Sequence, residues 1–298
     1  MNARRAARVD NPGTMDKLPA LFLSHGSPMT ALEPGAAGAF LRALGPAIDR
    51  CFGRPRAVLA VSAHTLARRH VLLAGARHAA VHDFSGFPEA LYQLRYDAPG
   101  APALAPRVAE LMQAAGLSVQ TRDQGGLDHG IWAPLRHLYP EADIAVLPLA
   151  FSPQDSPDTL WALGRALAPL AGEGVLILAS GSLTHNLRLL CGLPGRASVQ
   201  APEMPACAAF RAWVAERAAA RDGPALRNYR NLAPHAALMH PSDEHWLPFY
   251  VAAGAGGESA VPQRLHASLT YGVLAMDSYA FGSGAEALAQ EIRAAVAA

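Results

Sequence analysis

Five short runs rich in Val, Ile and Leu, at residues 20–23, 57–61, 71–73, 144–149 and 175–179, constrain this chain more than any other feature. Most are bounded by Gly, Pro or charged residues, so they read as strands buried on both faces. Helical patterns lie between them. In "APALAPRVAELMQAAG", Leu104, Val108, Leu111 and Met112 share one side at helix spacing, and Gly116 stops the element. In "SPDTLWALGRALAPLAGEG", Leu160, Leu163 and Leu167 form one stripe after a Ser/Asp start. Strands alternating with helices predict an α/β class, a single domain whose largely parallel central sheet is flanked by helices on both faces. Hydrophobic residues make up 51% of the 298, enough to fill such a core.

Several partners are disfavoured. A formal charge of +1, with no long block of either sign, gives no reason to expect nucleic acid or an anionic membrane surface. No apolar stretch reaches the ~18 residues that cross a bilayer. The opening "MNARRAARVDNPGTMDK" has Arg4, Arg5 and Arg8 but no apolar core, so residues 1–17 read as a frayed tail before a domain at 18–298, and Met15 is an alternative start. Cys51, Cys191 and Cys207 are odd in number and lack CxxC spacing, which suits packing residues in a reducing cytoplasm. There is no GxGxxG after a strand, no GxxxxGK[ST], no HExxH and no GxSxG, which weakens nucleotide use, zincin proteolysis and α/β-hydrolase esterolysis.

Three apolar runs end on or near a histidine: "LFLSHGSP" at His25, "AVLAVSAH" at His64 and "VLILASGSLTHNL" at His185. Open α/β sheets bind ligands at the carboxyl ends of their strands, so adjacent strands would bring these imidazoles to one crevice. Small neighbours such as Gly26 and Ala63 leave room for a ligand, and neutral imidazole suits zinc or ferrous iron. "HPSDEHWLPFYVAAG" predicts a helix with Ser242 as N-cap and Asp243, Glu244 and His245 in its first turn. Either His245 or Glu244 projects from that turn toward a site, or the acidic pair only complements the helix dipole. "DQGGLDHGIWAPL" puts Asp128 beside His129 in a Gly-rich loop, and "VHDFSGFPEALY" puts His82, Asp83 and two aromatics around Gly86; each lines a site or merely closes a turn. His70, His78, His137, His235 and His266 read as surface or satisfied core residues, with no second functional group nearby in sequence.

Taken in order, "LFLSHGSPM", "VSAH", "HDFSGFPEALYQLRY", "LDHGIWAPL", "SGSLTHNL", "HPSDEHWLP" and "SYAFG" resemble the class III extradiol aromatic ring-opening dioxygenases, in the branch of bacterial and plant DOPA dioxygenases. The resemblance runs from about residue 18 to 282. It implies that His25, His64 and His245 bind the metal, that His185 is the acid/base residue, and that His129 supports the site or touches substrate. In protocatechuate-cleaving relatives a glutamate takes the third position, which leaves Glu244 as the alternative to His245. Fe(II) is the metal expected for turnover, on a catechol and dioxygen. An all-histidine face also suits Zn(II), with His185 then closing the site as a fourth ligand. The rival readings are a zinc-dependent hydrolase on the same scaffold and a non-catalytic metal-binding interaction protein.

Overall fold

Each of the five apolar runs forms a strand in the computed structural model, which describes residues 17–191 and 198–297. In chain order the strands are β1 (Ala20–Ser24), β2 (Ala57–Ser62), β3 (His70–Leu73), β4 (Arg77–His78), β5 (Ala98–Pro99), β6 (Val119–Arg122), β7 (Ala145–Ala150), β8 (Val175–Gly181), β9 (Gln263–His266), β10 (Leu269–Thr270), β11 (Leu274–Ala275) and β12 (Ser278–Phe281). Eight of them make one sheet in the order β6-β3-β7-β2-β8-β1-β12-β9. Its centre, β7-β2-β8-β1, is parallel throughout. Antiparallel pairings occur only toward the edges, where β3 meets β7 and where β12 meets β1 and β9.

Both faces of this centre are buried, which is why its strands read as continuous apolar runs. Phe22, Leu59, Val61, Leu147 and Ile177 point to one face, and Leu21, Leu23, Val58, Val146 and Leu178 to the other. Burying a side chain as completely as Phe22 contributes roughly 2–3 kcal/mol. Helices Ala105–Ala114, Pro157–Leu167, Pro205–Ala219 and Leu247–Gly256 cover the first face. Helices Gly35–Phe52, His129–Leu138 and Ala285–Ala297 cover the second. The expected α/β domain, helices on both faces, is the one observed.

Local signals set several boundaries. Ser156 Oγ accepts from Thr159 N at 3.1 Å and caps the helix that begins at Pro157. Helix Ala105–Ala114 starts later than its apolar pattern, after a 3-10 turn at Pro102–Leu104. Helices Pro157–Leu167 and Leu247–Gly256 meet backbone to backbone: a Cβ on Gly164 would lie 2.2 Å from Val251 O, and one on Gly254 2.2 Å from Trp161 O. That seam fixes the second helix against the first, and with it the segment just ahead of Leu247.

The predicted tail falls outside the described residues except for Lys17, which is exposed. Among the described residues no helix is long and apolar enough to cross a membrane. Cys207 is buried and its thiol is pushed up to about 11 by burial, as suits a packing residue, and Cys51 is half-buried. The side chain of Cys191 lies outside the described set.

Candidate metal centre

The parallel register aligns the carboxyl ends of β1, β8 and β2: Ser24 pairs with Gly181, and Ser62 with Ser180. Sheet-like bonding continues one step further, with His25 N donating to Gly181 O at 2.9 Å and Ala63 N to Ser180 O at 3.0 Å. His25 and His64 are thereby held on either side of β8. His245 arrives from the opposite end of the chain. Ser182 N donates to His245 O at 2.8 Å, and a Cβ on Gly181 would lie 2.2 Å from that oxygen, so only glycine lets the His245 backbone rest against the strand end.

The predicted helix start is corrected here. The helix opens at Leu247, with Trp246 as N-cap, and His245 sits in the turn before it. Ser242 does not cap: its hydroxyl donates to Glu244 Oε1 at 3.0 Å. Asp243 is taken by Tyr229 and Arg230, so its carboxylate serves a tertiary pairing rather than the helix dipole.

The structure brings the three imidazoles together. His64 Nε2 lies 3.3 Å from His25 Nε2 and 3.2 Å from His245 Nε2. Each second nitrogen faces an oxygen. Ser180 hydroxyl donates to Gly130 O and so accepts from His25 Nδ1 at 3.0 Å. Glu244 Oε1 stands 3.2 Å from His245 Nδ1, and Asp83 Oδ2 stands 3.5 Å from His64 Nδ1. Glu244 therefore backs His245 from behind its ring. Hydrogens on the three Nδ1 atoms leave the three Nε2 lone pairs converging.

Converging lone pairs make a group that could hold a cation. Burial, followed by the neighbouring imidazoles, holds His25 and His245 well below their ordinary pKa. Burial and then His129 bring His64 to about 4, against the opposing pull of Asp83. Protons are thus disfavoured, and a metal ion fits. Nitrogens about 2.1 Å from one metal stand about 3.0 Å apart at right angles and about 3.4 Å apart at the tetrahedral angle, which brackets the two separations.

Two more histidines line the same cavity, of about 440 Å³, with Phe84, Phe87 and Leu274. His185 stacks on the His245 ring and is brought to about 4 by burial, opposed by Glu244 and assisted by His129. His129 opens the helix His129–Leu138, and its ring lies 4.1 Å from that of His64. Asp128 caps this helix: its Oδ1 accepts from Gly130 N at 2.8 Å and Ser62 Oγ at 2.7 Å, and its other oxygen accepts from Thr65. Asp83 accepts from His129 N at 2.9 Å and lies 3.0 Å from His129 Nδ1 through both oxygens. Burial alone would raise the Asp83 carboxyl, but the His129 hydrogen bonds and charge outweigh it and lower its pKa.

Sequence reasoning missed Asp83 and Ser180 as partners of the histidines. Asp83 sits beside the aromatics of "HDFSGF", but nothing in sequence ties it to a ring 46 residues away. His70, read as a surface or satisfied core residue, is buried and finds its partner far off in sequence: its Nε2 lies 3.1 Å from Asp155 Oδ2.

Residues 19–282 match the family described as the catalytic LigB subunit of aromatic ring-opening dioxygenase. The chain belongs to that family. Among these ring-opening dioxygenases, it is 38% identical over 265 residues to the 4,5-DOPA dioxygenase extradiol of Beta vulgaris, covering 88% of this chain and 96% of the relative. It is 34% identical over 241 residues to the 4,5-DOPA dioxygenase extradiol of Escherichia coli, covering 80% and 85%. A crystal structure of an uncharacterized Escherichia coli K12 protein superposes with TM-score 0.71 at 29% identity, covering 89% of this chain and all of the other. This extradiol ring-opening dioxygenase carries its histidine cluster at the carboxyl ends of β1, β8 and β2.

Proposed function

We propose that this ring-opening dioxygenase cleaves a catechol beside its diol, with Fe(II) held by His25, His64 and His245. The observation that carries the reading is the trio of converging Nε2 atoms beside a cavity that two further imidazoles line. His25, His64 and His245 would hold the ion, and ferrous iron there would supply the redox chemistry toward catechol and dioxygen that zinc lacks.

The chain's own residues do the rest. Phe84 and Phe87 offer the edges and faces that pack on an aromatic ring, standing 5.3 Å apart in a T-shaped pair. Leu274 adds apolar wall that excludes water from the ring. His185 lines the cavity with its ring stacked on His245, which suits it to take a catechol hydroxyl proton and later return one. His129 meets the substrate from the Phe84 side, 5.7 Å between ring centroids.

Anaerobic reconstitution with ferrous iron, followed by a panel of DOPA, 4-methylcatechol and protocatechuate, tests the reading through oxygen uptake and a coloured product. Oxygen consumption in step with ring opening is the expected result. Ester hydrolysis by the zinc-loaded protein with no oxygen uptake by the iron-loaded one would replace this reading with the hydrolase. Tight metal binding with neither reaction would favour an interaction protein.

A further inference from the structure

We propose that Asp83 is a positioning residue that dictates which ring nitrogen of His129 carries the hydrogen, turning a bare Nε2 toward the substrate cavity. The hydrogen on Nδ1 follows from the contacts alone; the bare Nε2 belongs to the neutral ring, and its use on a catechol rests on the dioxygenase reading above.

His129 is the first residue of its helix, and its backbone N–H is one of the first-turn donors that no helical carbonyl can satisfy. Asp83 Oδ1 accepts that N–H at 2.9 Å, so this oxygen is fixed as an acceptor. The ring nitrogen Nδ1 of the same residue stands 3.0 Å from Asp83 Oδ1 and 3.0 Å from Oδ2. A carboxylate offers only lone pairs, so the nitrogen facing it must carry the hydrogen. A neutral imidazole has one N–H, and with Nδ1 protonated Nε2 keeps its lone pair.

The rest of the site holds the ring in that attitude. Phe84, next in sequence to Asp83, meets the His129 ring edge to face at 82–85° geometry shared with His25, so one loop sets both the hydrogen bond and the wall. The same carboxylate reaches the His64 Nδ1 side at 3.5 Å, and thus faces the hydrogen-bearing edges of two imidazoles at once. With the lone pair forward, His129 accepts a hydrogen bond from a catechol hydroxyl. With the opposite tautomer it would present an N–H, which could donate to that oxygen but could not accept its hydrogen.

Asp83→Asn tests the assignment. The amide oxygen can still accept the backbone N–H, but the amide nitrogen takes the place of Oδ2, 3.0 Å from Nδ1, and sets a donor where a lone pair stood, which favours a ring with its hydrogen on Nε2. Ring ¹⁵N NMR of the metal-free protein, with the His129 signals assigned by their loss in His129→Gln, reads the tautomer without any turnover. The expected result is Nδ1–H in the wild type and Nε2–H in Asp83→Asn. On whichever catechol the panel shows to be consumed, kcat per bound iron should fall about 10²-fold or more, with KM changed only about threefold and melting temperature retained. Asp83→Ala should lose as much kcat and also melt lower, since it leaves the backbone donor unpaired. A merely structural carboxylate would instead leave Asp83→Asn with wild-type kcat. That outcome, or an Nε2–H tautomer in the wild-type protein, overturns the proposal. If the wild type consumes no catechol, the dioxygenase reading fails and the NMR comparison still decides the tautomer.

Discussion

The imidazoles of His185 and His245 lie face to face, their centroids 3.4 Å apart and their planes 7° from parallel. His185 is pinned there by its backbone N–H, which donates to Met239 O at 2.9 Å. The stack gives His185 a fixed orientation without requiring it to bind the metal. His185→Gln should therefore keep its iron and lose about 10²- to 10⁴-fold in turnover, as expected for a proton carrier. Bound iron and single-turnover rate measured on one sample check this. Activity recovered by excess ferrous iron would make His185 a fourth ligand instead.

The third ligand can be assigned by a pair of substitutions. His245→Ala should abolish tight metal binding, whereas Glu244→Gln should keep it but weaken it about 10- to 100-fold, because Glu244 Oε1 supports the His245 ring from behind at 3.2 Å. Chelator competition measures both affinities. The reverse ranking would place Glu244 on the metal.

Gly181→Ala should disturb the centre although residue 181 has no side chain to contribute. The new Cβ would stand 2.2 Å from His245 O, a backbone atom that cannot rotate away. A loss of about 1–3 kcal/mol in stability is expected from the forced shift, together with weaker metal binding. Denaturant unfolding and chelator competition on the same preparation check the pair of effects; wild-type values for both would show that the loop has slack.

Acid should destabilise the metal-free protein through histidines outside the centre. His240 is fully buried, its Nε2 donates to Leu183 O at 2.8 Å, and burial holds it at about 4; burial likewise holds His266 at about 4, with Arg211 adding to the effect. Both bind a proton more weakly when folded than at the unfolded value of about 6.5. Their contribution is therefore complete above that value and is lost as pH falls toward 4. For His240 the loss is on the order of 3 kcal/mol by pH 4. Unfolding free energy measured from pH 7 to 5 should fall, and His240→Asn should flatten the slope.

Legibility in the sequence followed the range of the forces involved. The runs that became β1, β2, β3, β7 and β8 were readable because burial on both faces leaves an unbroken apolar record in each strand. His25 and His64 were readable as strand-end residues for the same reason. The start of the helix near residue 245 was not, because Tyr229 and Arg230 draw Asp243 into a tertiary pairing that local capping rules do not see. Asp83 and Ser180 were hidden as histidine partners, since their roles exist only once distant loops close over the sheet.

The glycine seam between helices Pro157–Leu167 and Leu247–Gly256 has a bearing on how such a protein can diversify. With main chain seated on main chain at Gly164 and Gly254, these two positions leave no side chain between the helices to flex or be exchanged for a larger one. His245 is hung from a hard stop rather than a cushion. The walls built from Phe84, Phe87 and Leu274 belong to other segments of the chain and carry none of that constraint. A lineage could thus exchange those walls for new ring substituents while the histidine cluster stayed registered to the sheet.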